Sequence, residues 1–127
     1  MVNTLTSNNI ESLNLEIYLT KLFKGKHTGT KINYCNIETN NYLIEVKSCN
    51  LFNKNNKMTQ LGRYFIDTNN HITLFLKAIQ KNKIPIYIFV LKINNYKIIK
   101  KVTWDLITIN NTKDYSYIKL NKIFYKK

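Results

Sequence analysis

The chain has 127 residues, 44% hydrophobic and 13% aromatic, which suits one domain with a real core and excludes compositional disorder. Lysine and arginine outnumber aspartate and glutamate by 20 to 7, and a formal net charge of +13 attracts polyanions, nucleic acid first. Cys35 and Cys49 lack a CxxC spacing or a nearby histidine pair, which excludes a zinc site, and no apolar run approaches the roughly 20 residues that span a bilayer.

Residues 1–8 are polar. "NNIESLNLEIYLTKLFKG", residues 8–25, opens with Asn and closes with Gly, and predicts a capped helix. At 100° per residue, Leu15, Tyr18, Leu19, Leu22 and Phe23 form its apolar stripe. Glu11 falls at the edge of that stripe and Glu16 lies further round. "KHTGT" reads as a loop. "KINYCNIET" and "YLIEVKSC" read as strands joined by Asn40-Asn41, a dipeptide that tolerates the positive φ of a tight primed turn. "NLFNKNNKMTQ", residues 50–60, is a polar loop, and "GRYFID" a short strand. Asn69 or Asn70 caps a helix over "HITLFLKAIQKN", whose Ile72, Phe75, Leu76 and Ile79 share the side expected to cover the sheet. "IPIYIFVLKI", residues 84–93, is a buried central strand. An Asn-Asn turn and a strand within "YKIIKKVTWDLITI" follow, and "YSYIKLNKIFYKK" is a strand or a partner surface. This order predicts one α/β or α+β domain, residues 1–127, with a mixed sheet flanked by helices. Its core covers about 8–105, with an extension at 106–127.

The hairpin carries the chemistry. A two-residue turn at Asn40-Asn41 pairs Glu38 with Leu43, Ile37 with Ile44, and Asn36 with Glu45. Alternation then places Leu43, Glu45 and Lys47 on one face with Tyr34, Asn36 and Glu38. Cys35, Ile37, Ile44 and Val46 take the other, apolar face, so Cys35 and Cys49 point opposite ways and form no disulfide. Two carboxylates, an amide and an ammonium on one face are costly to desolvate without a partner. Either the face is solvated and carries an ordinary cross-strand ion pair, or it holds a divalent cation. Carboxylate oxygens suit Mg²⁺, and a neighbouring lysine can hold water or stabilise a pentavalent phosphate.

"YLIEVKSC" resembles the ExK core of the PD-(D/E)xK nuclease superfamily, with Glu45 and Lys47 as its acid and lysine. The resemblance covers roughly residues 8–93 and implies a restriction-endonuclease-like αβββαβ core. It also implies Mg²⁺-dependent, or Mn²⁺-dependent, hydrolysis of a DNA phosphodiester. Glu45, the Asn36 position and the Val46 carbonyl would hold the metal, with Glu11 supporting it and Glu16 as the runner-up. Lys47 would position or activate water. Members of this size include Holliday junction resolvases and restriction endonucleases, so the expected partners are duplex or branched DNA and a second copy of the chain.

This chain departs from the family at Asn36, which is neutral where the family carries an aspartate. Three readings stay open: Glu38 substitutes, the chain is catalytically impaired and binds DNA without cutting it, or Asn36 suffices with Glu11 and Glu45. An RNA-binding domain is a third function class.

Among the remaining residues, Arg63 is the single arginine and either grips phosphate or makes a surface ion pair. Lys54 and Lys57 in the polar loop, and Lys24 and Lys26 after the first helix, are candidates to track a DNA backbone. Gln60 is a loop residue or a water-orienting group. His71 is read as a surface or capping residue in preference to a general base. Trp104 and the strand tyrosines and phenylalanines are read as core. Cysteine usage and the lack of a leader pattern suggest a reduced, intracellular protein that does not enter a membrane.

Overall fold

A computed structural model describes residues 7–28, 34–55 and 58–124, with side chains except at residues 7–12, 53–55 and 58–60. Helix α1 (Ser7–Leu22) leads into strands β1 (Lys26–His27), β2 (Ile37–Glu38) and β3 (Tyr42–Asn50). A hairpin, β4 (Phe52–Asn55) and β5 (Met58–Leu61), and strand β6 (Arg63–Asp67) precede helix α2 (Thr68–Lys81). The chain returns through β7 (Ile84–Ile93) and β8 (Tyr96–Thr103) and makes a 3-10 turn at Trp104–Leu106. Strand β9 (Tyr115–Lys119) and helix α3 (Leu120–Ile123) follow.

Five strands form a mixed sheet in the order β1-β2-β3-β7-β8. Only β3 and β7 pair in parallel; the other neighbours are antiparallel. A parallel pair needs a long crossover, and the segment containing β4, β5, β6 and α2 supplies it. The expected α/β class with helices flanking a mixed sheet is therefore observed. β7 is the buried central strand that its apolar run predicts, and Ile86 through Val90 have no exposed surface.

Each face of the sheet has its own cover. Leu15 and Leu19, one helical turn apart on α1, pack on Ile37, Ile44, Ile86, Ile88 and Val90. The contact stripe is narrower than the periodicity predicts: Tyr18 and Leu22 flank it and remain 56% and 54% exposed. On the opposite face lie α2, α3 and the antiparallel β6–β9 ribbon. Leu74 and Ala78 of α2 and Tyr64, Ile66 and Ile118 of the ribbon meet Leu43, Tyr87 and Phe89 there.

Several boundaries differ from expectation. α2 begins earlier, because the Asp67 carboxylate, not Asn69 or Asn70, accepts the Asn70 N–H at 2.8 Å as its N-cap. The helix turns Thr68, His71, Leu74 and Ala78 inward, whereas Ile72, Leu76 and Ile79 are exposed. A buried, hydrogen-bonded histidine has taken the place that hydrophobicity alone assigns to isoleucine. The stretches read as loops at 26–30 and 50–60 contain β1 and the β4–β5 hairpin, and β8 stops at Thr103. An added Cβ at Gly62 would collide with the Asn50 carbonyl oxygen, so the chain can pass the end of β3 between β5 and β6 only through glycine. No helix among the described residues is long and apolar enough to cross a membrane.

Candidate functional site

The β2–β3 hairpin forms in the register that its turn predicts, with Ile37 opposite Ile44 and Glu38 opposite Leu43. Thr39 closes the turn: its N–H donates to the Tyr42 carbonyl at 2.9 Å, and its hydroxyl accepts the N–H groups of Asn41 and Tyr42. Beyond Ile37 the regular ladder gives way. The Asn36 N–H donates to the Ile44 carbonyl at 2.8 Å, and the Asn36 Oδ1 accepts the Val46 N–H at 2.7 Å. A side-chain amide thus does for Val46 what a neighbouring backbone does for the residues before it. This bulge-like offset also moves Cys35. It packs with Leu43, Tyr64 and Tyr87 on the α2 face, not with Ile37 and Ile44 as strict alternation predicts. Cys35 and Cys49 therefore share a face, yet both thiols are free. Burial pushes the Cys35 thiol up to about 12.

Glu45 and Lys47 project side by side from β3, two residues apart on the face toward α2. The Glu45 side chain is 13% exposed. Its Oε2 lies 3.4 Å from Lys47 Nζ and accepts a long hydrogen bond of 3.5 Å from Asn70 Nδ2, in the first turn of α2. Burial raises the Glu45 carboxyl to about 7; Lys47 opposes the shift, and the charge of Glu16 adds to it.

Glu16 is the α1 carboxylate whose charge reaches Glu45, and its Oε1 lies 2.8 Å from His27 Nε2 on β1. The side chain of Glu11 lies outside the described residues, as do those of Lys54 and Gln60 and the whole of Lys57. Glu38 sits at the turn end of the hairpin, where Lys83 and Lys81 bind its carboxylate at 2.6 and 3.1 Å and hold it below the usual range. Its charge is spent there, so it does not join Glu45. Lys24 and Lys26 are exposed and border a shallow depression around the same turn, with Glu38 and Lys83. Among the described residues Arg63 makes no ion pair; its guanidinium lies 3.7 Å above the ring of Tyr117.

His71 is 3% exposed, which overturns its reading as a surface or capping residue. Its Nδ1 lies 2.6 Å from the Tyr87 hydroxyl, and its ring stacks on Trp104 with centroids 4.4 Å apart. Burial lowers its pKa to about 4, so the ring is neutral at neutral pH. Trp104 packs as expected, donating its Nε1–H to the His71 carbonyl at 2.8 Å. Tyr87 stands beside Glu45 on the neighbouring strand, so a polar layer runs from Lys47 through Glu45 to Tyr87 and His71. Not every strand aromatic is core: Phe65, Tyr115 and Tyr117 are close to half exposed.

The structure brings Lys47 to Glu45 and Asn36 to the intervening Val46 amide, places the expected runner-up Glu16 within electrostatic reach of Glu45, and adds Asn70, Tyr87 and His27. None of these additions bears a fixed spacing to Glu45. Among the described residues, no three His, Cys, Asp or Glu side chains form a group that would hold a metal alone. Mg²⁺ asks for less, since one or two carboxylates, several waters and substrate phosphate oxygens suffice. Glu45 supplies one desolvated carboxylate, and the Asn36 Oδ1 is engaged by the Val46 N–H one residue along β3. No protein-family model matches the chain, and no curated protein matches it significantly.

Proposed function

We propose that the chain is a metal-dependent endodeoxyribonuclease of the PD-(D/E)xK type, acting on duplex or branched DNA. The observation that carries this reading is the hairpin itself. Glu45 and Lys47 lie side by side on β3, Asn36 clasps the amide between them, and β3 pairs in parallel with the strand that follows α2. The order α1, β1, β2, β3, α2, β7 supports an αβββαβ core, with β4, β5 and β6 inserted before α2. Mg²⁺ or Mn²⁺, when bound, would supply positive charge to the phosphate undergoing attack. Glu45, the Val46 carbonyl and Asn36 would hold it, with a glutamate of α1 in support. Lys47 orients water and steadies negative charge on the phosphoryl oxygens. The net charge of +13 supports DNA as substrate, and two free thiols support a reduced, intracellular setting. Cutting both strands calls for a homodimer with two such sites.

A second reading, a DNA-binding module with impaired catalysis, is favoured by the neutral Asn36 and by the lack, among the described residues, of a metal-holding group of three His, Cys, Asp or Glu side chains. Cleavage of supercoiled plasmid and of a four-way junction in Mg²⁺ or Mn²⁺ separates the two. The enzyme nicks at least one of them, gains activity in Asn36→Asp, and loses cleavage but keeps DNA binding in Lys47→Ala. If neither the wild type nor Asn36→Asp shows metal-dependent cleavage, the enzyme reading fails.

A further inference from the structure

The β6–β9 ribbon has two unlike sides. Tyr64, Ile66 and Ile118 point inward and are at most 7% exposed. Arg63, Phe65, Tyr115, Tyr117 and Lys119 alternate with them and point outward. Phe65, Tyr115 and Tyr117 are 45%, 47% and 47% exposed, so each ring offers about half its surface to water. They form one cluster: Phe65 lies 5.2 Å from Tyr115 and 5.7 Å from Tyr117, and the two tyrosines are 5.5 Å apart. Arg63 stands over Tyr117 and is directly opposite Lys119 across the ribbon.

Cross-strand ring packing explains why these side chains cluster. It does not explain why three rings remain half exposed at one place, with two cations at their end. The other exposed apolar surface differs. On α2 it is aliphatic, Ile72, Leu76 and Ile79, and the exposed Tyr18, Phe52 and Tyr96 join no ring cluster among the described residues. Of the nearby acids, Asp67 is committed to capping α2, and Asp114 is exposed just before Tyr115. Half-exposed rings next to guanidinium and ammonium groups, on a chain of net charge +13, match unpaired bases joined by phosphates.

We propose that the outward face of the β6–β9 ribbon is a stacking platform for single-stranded nucleic acid. Phe65, Tyr115 and Tyr117 receive the bases, and Arg63 and Lys119 contact the flanking phosphates. The platform shares no residue with the Glu45 site, and its existence does not depend on cleavage there.

The test is fluorescence anisotropy of labelled oligo-dT and oligo-U, about 15 nucleotides each, with a duplex of equal length, using the full chain in EDTA. The oligo-dT and oligo-U arms separate DNA from RNA as the source of the strand. Tyr117→Ala and Phe65→Ala each weaken single-strand binding by roughly 5- to 100-fold, more than they weaken duplex binding. Tyr117→Phe keeps the ring and the affinity. Arg63→Gln with Lys119→Gln lowers the steepness of the logarithmic salt dependence by about 1.4. Should Tyr117→Ala lose structure by circular dichroism, Tyr117→Thr, which keeps β propensity, replaces it. Wild-type single-strand affinity in the ring-removing variants overturns the proposal. So does a change confined to oligomeric state in sedimentation, which assigns the face to a protein partner. Plasmid cleavage by the same variants reports on the nuclease reading separately.

Discussion

The two faces of the central sheet are made from the same strands and do opposite things. Toward α1, Ile37, Ile44, Ile86, Ile88 and Val90 close on Leu15 and Leu19 as an aliphatic layer. Toward α2 and the ribbon, the next residues along the same strands are Leu43, Glu45, Lys47, Tyr87 and Phe89, met by His71 and Asn70. One layer collects apolar burial, and the other bears the cost of holding a carboxylate and an imidazole away from water. Period-two alternation lets a small domain do both within one sheet.

Breaking the aliphatic layer has the largest effect. Ile88→Ala, at a site with no exposed surface, is expected to cost about 2–5 kcal/mol in urea unfolding, with the lost methyl groups leaving a cavity. Equal stability in variant and wild type would mean that this layer is not the close-packed one.

The titration of the polar layer sharpens the contrast. The folded state holds His71 neutral down to about pH 4, whereas an unfolded histidine takes up its proton near 6.5. Stability from this group is complete above 6.5 and is lost as pH falls toward 4, a total on the order of 3 kcal/mol. Glu45 works the other way: the folded carboxyl keeps its proton up to about 7, the unfolded one releases it near 4.5, and stability falls as pH rises between them. These two contributions offset one another between about 4.5 and 6.5 in the wild type. Glu45→Gln exposes the His71 slope and, by removing a desolvated charge, adds about 1 kcal/mol at pH 8. Chemical denaturation at a series of pH values checks both; an unchanged pH profile in Glu45→Gln would mean that Glu45 is solvated.

Asp67→Ala costs about 1 kcal/mol at any pH where the carboxylate is ionised, because it removes one N-cap bond from α2. A thermal melt measures it. The same variant loosens the turn that presents Asn70 to Glu45, so cleavage falls by more than stability if the proposed site is right.

Much of this arrangement is legible in the residues alone. Asn40-Asn41 between two apolar alternations determines the hairpin register, and the apolar run from Ile86 to Leu91 announces a strand covered on both faces. What stays hidden depends on partners distant in the chain. Nothing near His71 signals that Tyr87, sixteen residues later, will satisfy it and draw it inward past Ile72. Asn70 meets Glu45 across twenty-five residues, and Glu16 meets His27 across eleven. Cys35 changes face because a local offset breaks the alternation on which the expectation rests. The polar composition of residues 50–60 conceals a hairpin whose pairing is carried by backbone groups.

Asn36 gives one of these features a practical use. The Val46 amide proton is held by the Asn36 side chain, so its exchange with deuterium tracks whether position 36 is in place, with no turnover required. That single proton is a clock for the preorganisation of the site. It would slow on cation loading if the ion tightens the hairpin, and quicken when the amide at position 36 is cut away.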